Sequence, residues 1–264
     1  MLIDTHIHLD AAEFDADRGQ VIDAARAKGV AGFVVPAVER ANFDAVRGIA
    51  AENADIGFAL GIHPMYVMPA RMDDVDVLDE YLGEGGAVAV GEIGLDHFVP
   101  GIDHERQLGF FVAQLKLARR HGLPVILHVR RAIDPILKQL RRIGVPGGIA
   151  HAFNGSRQQA DALIGLGFKL GFGGTMSFSG STRIRELAAA LPLGAIVLET
   201  DAPDIPPEWA RGRRNEPANL LRYASILAEL RSATVEEIIA ATGRNAIEVL
   251  RWRPGETPGQ AAGD

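Results

Sequence analysis

The chain of 264 residues carries a formal net charge of −7 and 47% hydrophobic side chains, enough apolar matter for one large core and too much for a disordered polymer. It has no cysteine, which excludes disulfides, thiolate metal sites, iron–sulfur clusters and cysteine nucleophiles. The acidic balance argues against a general nucleic-acid-binding coat but not against a local basic mouth, because exposed charges are screened over roughly 8 Å at physiological salt.

The N-terminal MLIDTHIHL has no basic segment leading into a long apolar one, and no later run of about 18 apolar residues marks a membrane span. The expectation is a cytoplasmic monomer. Strand-like apolar runs then alternate with amphipathic helical stretches. Strands are expected at Leu2–His8, Gly32–Pro36, Ile56–Leu60, Ala87–Glu92, Pro124–His128, Gly148–His151, Phe168–Gly171 and Ala195–Glu199. The 3.6-residue pattern predicts helices over Arg18–Lys28, Asn42–Glu52, Val75–Leu82, Asp103–His121, Ile133–Ile143, Arg157–Leu166 and Thr182–Leu191. Two more, Pro217–Arg231 and Val235–Leu250, close the chain, the second capped by Ser232 or Thr234. Continuous apolar strands alternating with helices imply a parallel sheet covered on both faces. The length suits one (β/α)8 TIM barrel of about 250 residues. An open doubly wound sheet is the alternative, but no GxGxxG follows the first strand. The reading is one α/β barrel domain over residues 1–252, with the Pro/Gly-rich 253–264 as a frayed tail.

Metal-type side chains fall where these strands end. His6 and His8 alternate at period two, so on a strand both point to one face, with Ile7 turned toward the helices. A lone HxH is as readily two ordinary histidines; its position on the first barrel strand favours ligands. Glu92 follows AVAVG, an apolar setting where a carboxylate is costly unless paired or metal-bound, and its two oxygens suit a bridge between ions. The other reading is a Glu paired to arginine. His128 ends PVILH and His151 ends GGIAH. Singly each is as readily a core histidine, but consecutive strands make them neighbours at the mouth, where they could hold a second ion. Asp201, after VLET, could bind metal and accept a proton from water, or serve as a turn residue. Glu199 shares its face and could support the site.

Arg130 and Arg131 follow His128, and Arg211, Arg213 and Arg214 cluster in WARGRRNEP. The arginine fork suits phosphate oxygens. Only four of 27 basic residues are lysines, so arginine near the site is weak evidence by itself, and RGRR is as readily a solvated loop. His63 in GIHP could touch substrate or metal. His97, His104 and His121 look less special.

DTHIHLD, GIHP, GEIGLD, LPVILHVRRA, HAFNGS, LGFKLGFGGT, LETDAP and RNEPANL together resemble the TatD-type metal-dependent hydrolases, and PAVERANF, VILHVRRA and GGT resemble their YjjV-like branch. The resemblance spans nearly the whole chain. It implies a TIM barrel with one metal at His6, His8, Glu92 and Asp201 and a second at Glu92, His128 and His151. It also implies two divalent ions (Mg, Mn or Zn) and hydrolysis of DNA phosphodiesters, including 3′-to-5′ exonuclease action; the lack of a long apolar run leaves no membrane partner expected. Glu92 and Asp201 are the catalytic candidates; His63, Arg130, Arg213 and Arg214 are the substrate-binding ones. The chain departs from the family pattern at Met65, His97 and Asn154, all expected to face substrate. The alternatives are a metal-dependent hydrolase of a small phosphoester, carboxylic ester or cyclic amide, and, more remotely, a non-enzymatic metal-binding scaffold. No lysine stands at a strand end, which counts against a lysine-bridged amidohydrolase.

Overall fold

Valine- and isoleucine-rich runs bury both faces and pair as parallel strands. In the computed structural model, which describes residues 1–256, these are β1 (Leu2–Asp4), β2 (Val30–Pro36), β3 (Ile56–Leu60), β4 (Ala89–Asp96), β5 (Val125–Arg130), β6 (Gly148–Ala150), β7 (Phe168–Phe172) and β8 (Ile196–Leu198). They pair in chain order as one eight-stranded sheet. Thr5 N and Thr5 Oγ1 both donate to Leu198 O at 3.1 Å, and Asp201 N donates to His6 O at 2.8 Å, so the two edges meet and round off a (β/α)8 barrel.

Nine helices surround it among the described residues: α1 (Arg18–Ala27), α2 (Phe43–Glu52), α3 (Asp73–Gly83), α4 (His104–His121), α5 (Ile133–Ile143), α6 (Arg157–Gly165), α7 (Thr182–Ala190), α8 (Leu220–Arg231) and α9 (Val235–Leu250). Each buries one stripe. On α5, Ile136, Leu137, Leu140 and Ile143 face the sheet while Lys138, Arg141 and Arg142 face solvent. Of the two caps the sequence offers α9, Thr234 is used: its hydroxyl accepts from Glu237 N and Glu237 accepts from Thr234 N, a capping box that stabilises by about 1 kcal/mol. Ser232 instead ends α8 in a left-handed conformation.

The barrel interior holds Ile3, Val34, Ala59, Ala89, Ile126, Ile149 and Val197, and its N-terminal end is closed by Val249, Leu250 and Trp252. One end is therefore sealed by apolar packing and the other is left for polar side chains. Residues 253–256 of the tail expected to fray lie against this sealed end, with Gly255 N donating to Ala54 O at 2.8 Å; the rest of that tail lies outside the described residues. Among the described residues no helix is long and apolar enough to cross a membrane.

Candidate metal centre

The strand C-termini converge on the open end. The β1 ladder stops at Asp4, earlier than the alternation suggests, because Ile7 N turns to Val34 O (3.1 Å) and His8 N to Ala202 O (2.8 Å). His6 and His8 thus stand on an extended segment just past the strand. Ile7 is still buried between them, and the two Nε2 atoms lie 3.2 Å apart. Glu92 sits within β4, which runs on to Asp96, its backbone N held by Ala37 O at 2.9 Å. His63 follows β3, His128 lies on β5, and His151 follows β6. Asp201 follows β8 with φ +58°, a left-handed conformation that a short polar side chain tolerates.

Glu92 is 2% exposed and its two oxygens serve different partners. Oε2 lies 3.1 Å from His6 Nε2 and 3.8 Å from His8 Nε2. Oε1 lies 3.0 Å from His128 Nδ1, 3.4 Å from His63 Nε2 and 3.8 Å from His151 Nε2. Asp201 Oδ1 is 3.5 Å from both His6 Nε2 and His8 Nε2, and Oδ2 is 4.0 Å from His151 Nε2. Three groups have the proximity a cation needs: His6, His8 and Asp201; His6, Glu92 and His151; and His63, Glu92 and His128. Ligand atoms that share one ion at about 2.0–2.2 Å stand some 3–4 Å apart, which is the spacing here. The residues fit a divalent cation on their own chemistry, since converging imidazole lone pairs and carboxylates leave too few protons to satisfy one another. The grouping differs from the expected second set in one respect. His63 joins Glu92 and His128, while His151 groups with Glu92 through His6 and stands 3.8 Å from the same Glu92 oxygen.

Buried carboxylates hold these imidazoles. His151 donates from Nδ1 to Glu199 Oε1 at 3.2 Å, which turns its Nε2 toward Glu92 and Asp201. Glu199 Oε1 also accepts from Ala152 N at 2.5 Å. Its chain lies against Gly171 of β7, where a Cβ would overlap the carboxylate and force the Glu199 side chain to shift. Asp96 was missed by sequence reasoning. It is fully buried, 3.0 Å from His128 Nε2, and its Oδ1 accepts from Phe98 N (2.8 Å) and Val99 N (3.0 Å). The available signal was a second carboxylate closing the same apolar run as Glu92. Asp4 accepts from Thr200 N at 2.9 Å and pairs with Thr200 Oγ1 at 2.6 Å, tying β1 to the segment that carries Asp201; burial pushes its carboxyl up to about 8.

Electrostatics set the protonation states. Burial would raise the Glu92 carboxyl, but His63, His6, His151 and the hydrogen bond from His128 hold it well below the usual range. Asp201 is likewise lowered against burial by His151, His8 and His6. Burial lowers His6 and His63. Burial opposes protonation of His8 and His151 too, yet the carboxylates beside them prevail and raise His8 to about 9 and His151 to about 10. A cation must displace those protons. Apparent metal affinity is therefore expected to rise steadily from pH 6 to pH 8. Titration calorimetry of the metal-free protein in two buffers of different ionisation enthalpy reads the released protons. Identical heats in both buffers would contradict the assignment.

The other candidates scatter. Arg130 is at the mouth, 4.0 Å from Asp96. Arg214 is committed to Asp17 (2.5 Å), Glu216 and the Glu13 carbonyl, bracing its loop on the segment that leads into α1 rather than facing the metal groups. Arg213 is exposed and donates to Trp209 O at 3.2 Å. Asn215 of RNEP is buried and donates to Thr200 O at 2.8 Å, fixing the same loop to the strand end. His97 stacks on His104 at 4.1 Å, and His121 pairs with Asp79 at 2.6 Å, away from the centre. Lys169 reaches Gly194 O and Glu248 at the sealed end, so it bridges nothing at the mouth.

A family model described as TatD related DNase matches residues 3–251. The chain belongs to the TatD family. It is a metal-dependent hydrolase of that family, with the barrel and the clustered His, Glu and Asp side chains on which such chemistry rests. It is 40% identical over 246 residues to the uncharacterized metal-dependent hydrolase YjjV of Escherichia coli, covering 92% of this chain and 95% of the relative. The crystal structure of the E. coli YjjV TatD homolog superposes with a TM-score of 0.92 at 38% identity, covering 96% of this chain and 98% of that one. The human deoxyribonuclease TATDN3 is 31% identical, with 94% of each chain covered. A TatD family hydrolase of Entamoeba histolytica, at 19% identity and TM-score 0.81, shares the fold.

Proposed function

We propose that this TatD protein hydrolyses phosphodiester bonds at DNA ends using two divalent cations shared by Glu92. The observation that carries the reading is the division of Glu92, with Oε2 among His6 and His8 and Oε1 among His63, His128 and His151. His6, His8, Glu92 and Asp201 would hold one ion and Glu92, His128 and His151 the other, with His63 beside the second. Such ions acidify water, orient it and neutralise charge on the phosphoryl oxygens. Asp201, ionised by its histidine neighbours, accepts the proton of the attacking water. His63 accepts from Met65 N at Nδ1 (3.2 Å), so the neutral ring carries its proton on Nε2 and presents a donor to Glu92 or to a phosphate oxygen. Arg130 at the mouth, together with the exposed Arg213, would supply cations for the strand's phosphates. Kinship with a relative named as a deoxyribonuclease supports DNA over a small ester.

The test is cleavage of single-stranded oligonucleotides with free or blocked 3′ ends by protein reconstituted with Mg²⁺, Mn²⁺ or Zn²⁺. Loss of product from the free 3′ end in single-nucleotide steps is expected, with blocked strands at least about tenfold slower. Hydrolysis of carboxylic esters but not of either strand would overturn the reading.

A further inference from the structure

Beside the metal groups lies an aromatic ring that the proposed chemistry does not use. Phe98 follows β4 and is 44% exposed, unusual for a phenylalanine next to a polar cleft. Its position is fixed, because Phe98 N and Val99 N both donate to the buried Asp96 Oδ1 and His97 N donates to Arg130 O at 2.9 Å. Two guanidinium groups approach the ring, Arg130 at 3.7 Å and Arg131 at 4.5 Å from its centroid. Arg131 has φ +56°, a left-handed turn directly after β5. Both arginines are exposed, and among the described residues neither has a carboxylate closer than the 4.0 Å approach of Arg130 to Asp96. Tyr66, 38% exposed, flanks His63 across the same mouth. The loop bearing Tyr66 is braced to α4 by Arg106, whose side chain donates to Val67 O and Ala70 O.

From this arrangement we infer that Phe98, with Arg130 and Arg131, forms a nucleobase platform that takes one unpaired nucleotide next to the scissile phosphate. The flanking phosphates draw the guanidinium groups from the ring, and the base stacks on the face they leave. An aromatic face next to paired cations matches a single strand, whose bases are free to splay out and whose phosphates repeat at each nucleotide. A duplex keeps its bases stacked and offers the ring nothing. The link to the metal centre is direct: Asp96 contacts His128 with one oxygen and holds Phe98 with the other.

The inference rests on the phosphodiester reading above, and the experiment separates the two. Binding of a four-nucleotide DNA strand is compared with binding of a base-free strand carrying the same phosphates, using fluorescence anisotropy with metal chelated so that nothing is cut. Wild type is expected to prefer the strand with bases by about tenfold, the worth of one stacked base. Phe98→Ala should erase that preference, Phe98→Tyr should keep it, and Arg130→Ala should weaken both strands alike. If Phe98→Ala weakens both strands equally, or leaves the preference intact while wild type still cuts the tetranucleotide, the platform is wrong and the phosphodiester reading stands. If wild type binds and cuts neither strand, both fall.

Discussion

Glu92→Gln is expected to lower kcat at least about 10³-fold with far-UV circular dichroism unchanged and, on the proposed two-ion reading, metal content below that of wild type. The amide keeps the shape of the side chain but replaces an oxygen that faces imidazole lone pairs with an N–H donor. Whichever way the amide turns, one set of histidines loses its anionic partner: His6 and His8 on one side, or His63, His128 and His151 on the other. Stabilisation by a bound ion is worth several kcal/mol at the transition state, and about 4 kcal/mol corresponds to the predicted loss. Elemental analysis beside the rate measurement makes the claim sharp. A purified variant with half of wild-type activity and two ions still bound would remove Glu92 from the centre of the mechanism.

Gly94→Ala is expected to destabilise the fold by about 4 kcal/mol, read as a fall in Tm of about 10 °C or as loss of soluble protein. Gly94 lies opposite His128 in the β4–β5 ladder. A Cβ there would overlap the His128 carbonyl and meet its C at 2.9 Å and N at 3.1 Å, all backbone atoms that no rotamer change can move. The φ of +155° adds strain for any L side chain. The damage falls on the strand pair that presents Glu92 and His128, so surviving molecules should also bind metal poorly. Gly109→Ala is the control, since nothing beyond the adjoining backbone of its own helix lies within 4 Å of a Cβ at that position and alanine favours the helix. Equal Tm values for the two variants would show that β4 and β5 can separate without cost.

Element type was legible because the physics that sets it is local. Apolar runs of four to eight residues between helical periods have no other stable use than buried parallel strands, and all eight strands and nine helices lie where the pattern predicts them. Element ends were less legible, since they depend on partners distant in sequence. β1 ends at Asp4 because Val34 and Ala202 capture the next amides, and β4 runs past Glu92 because β5 continues alongside it to Arg130. No window around His6 contains that information.

For the site, the sequence by itself pointed to six of the residues that meet. Strand order and handedness in a barrel send every strand-end side chain to one mouth, so His6, His8, Glu92, His128, His151 and Asp201 had to converge. Only the tertiary structure decided how they are shared and what holds them. It gave Glu92's two oxygens separate neighbours, brought His63 to Glu92 and His128, set Asp96 behind His128 and Glu199 behind His151, and drew Arg214 away to Asp17. The reason is that coordination and hydrogen bonding are settled over tenths of an ångström, by side-chain rotamers and by backbone contacts between strands far apart in the chain. A motif fixes residue types and their order but carries no such distances.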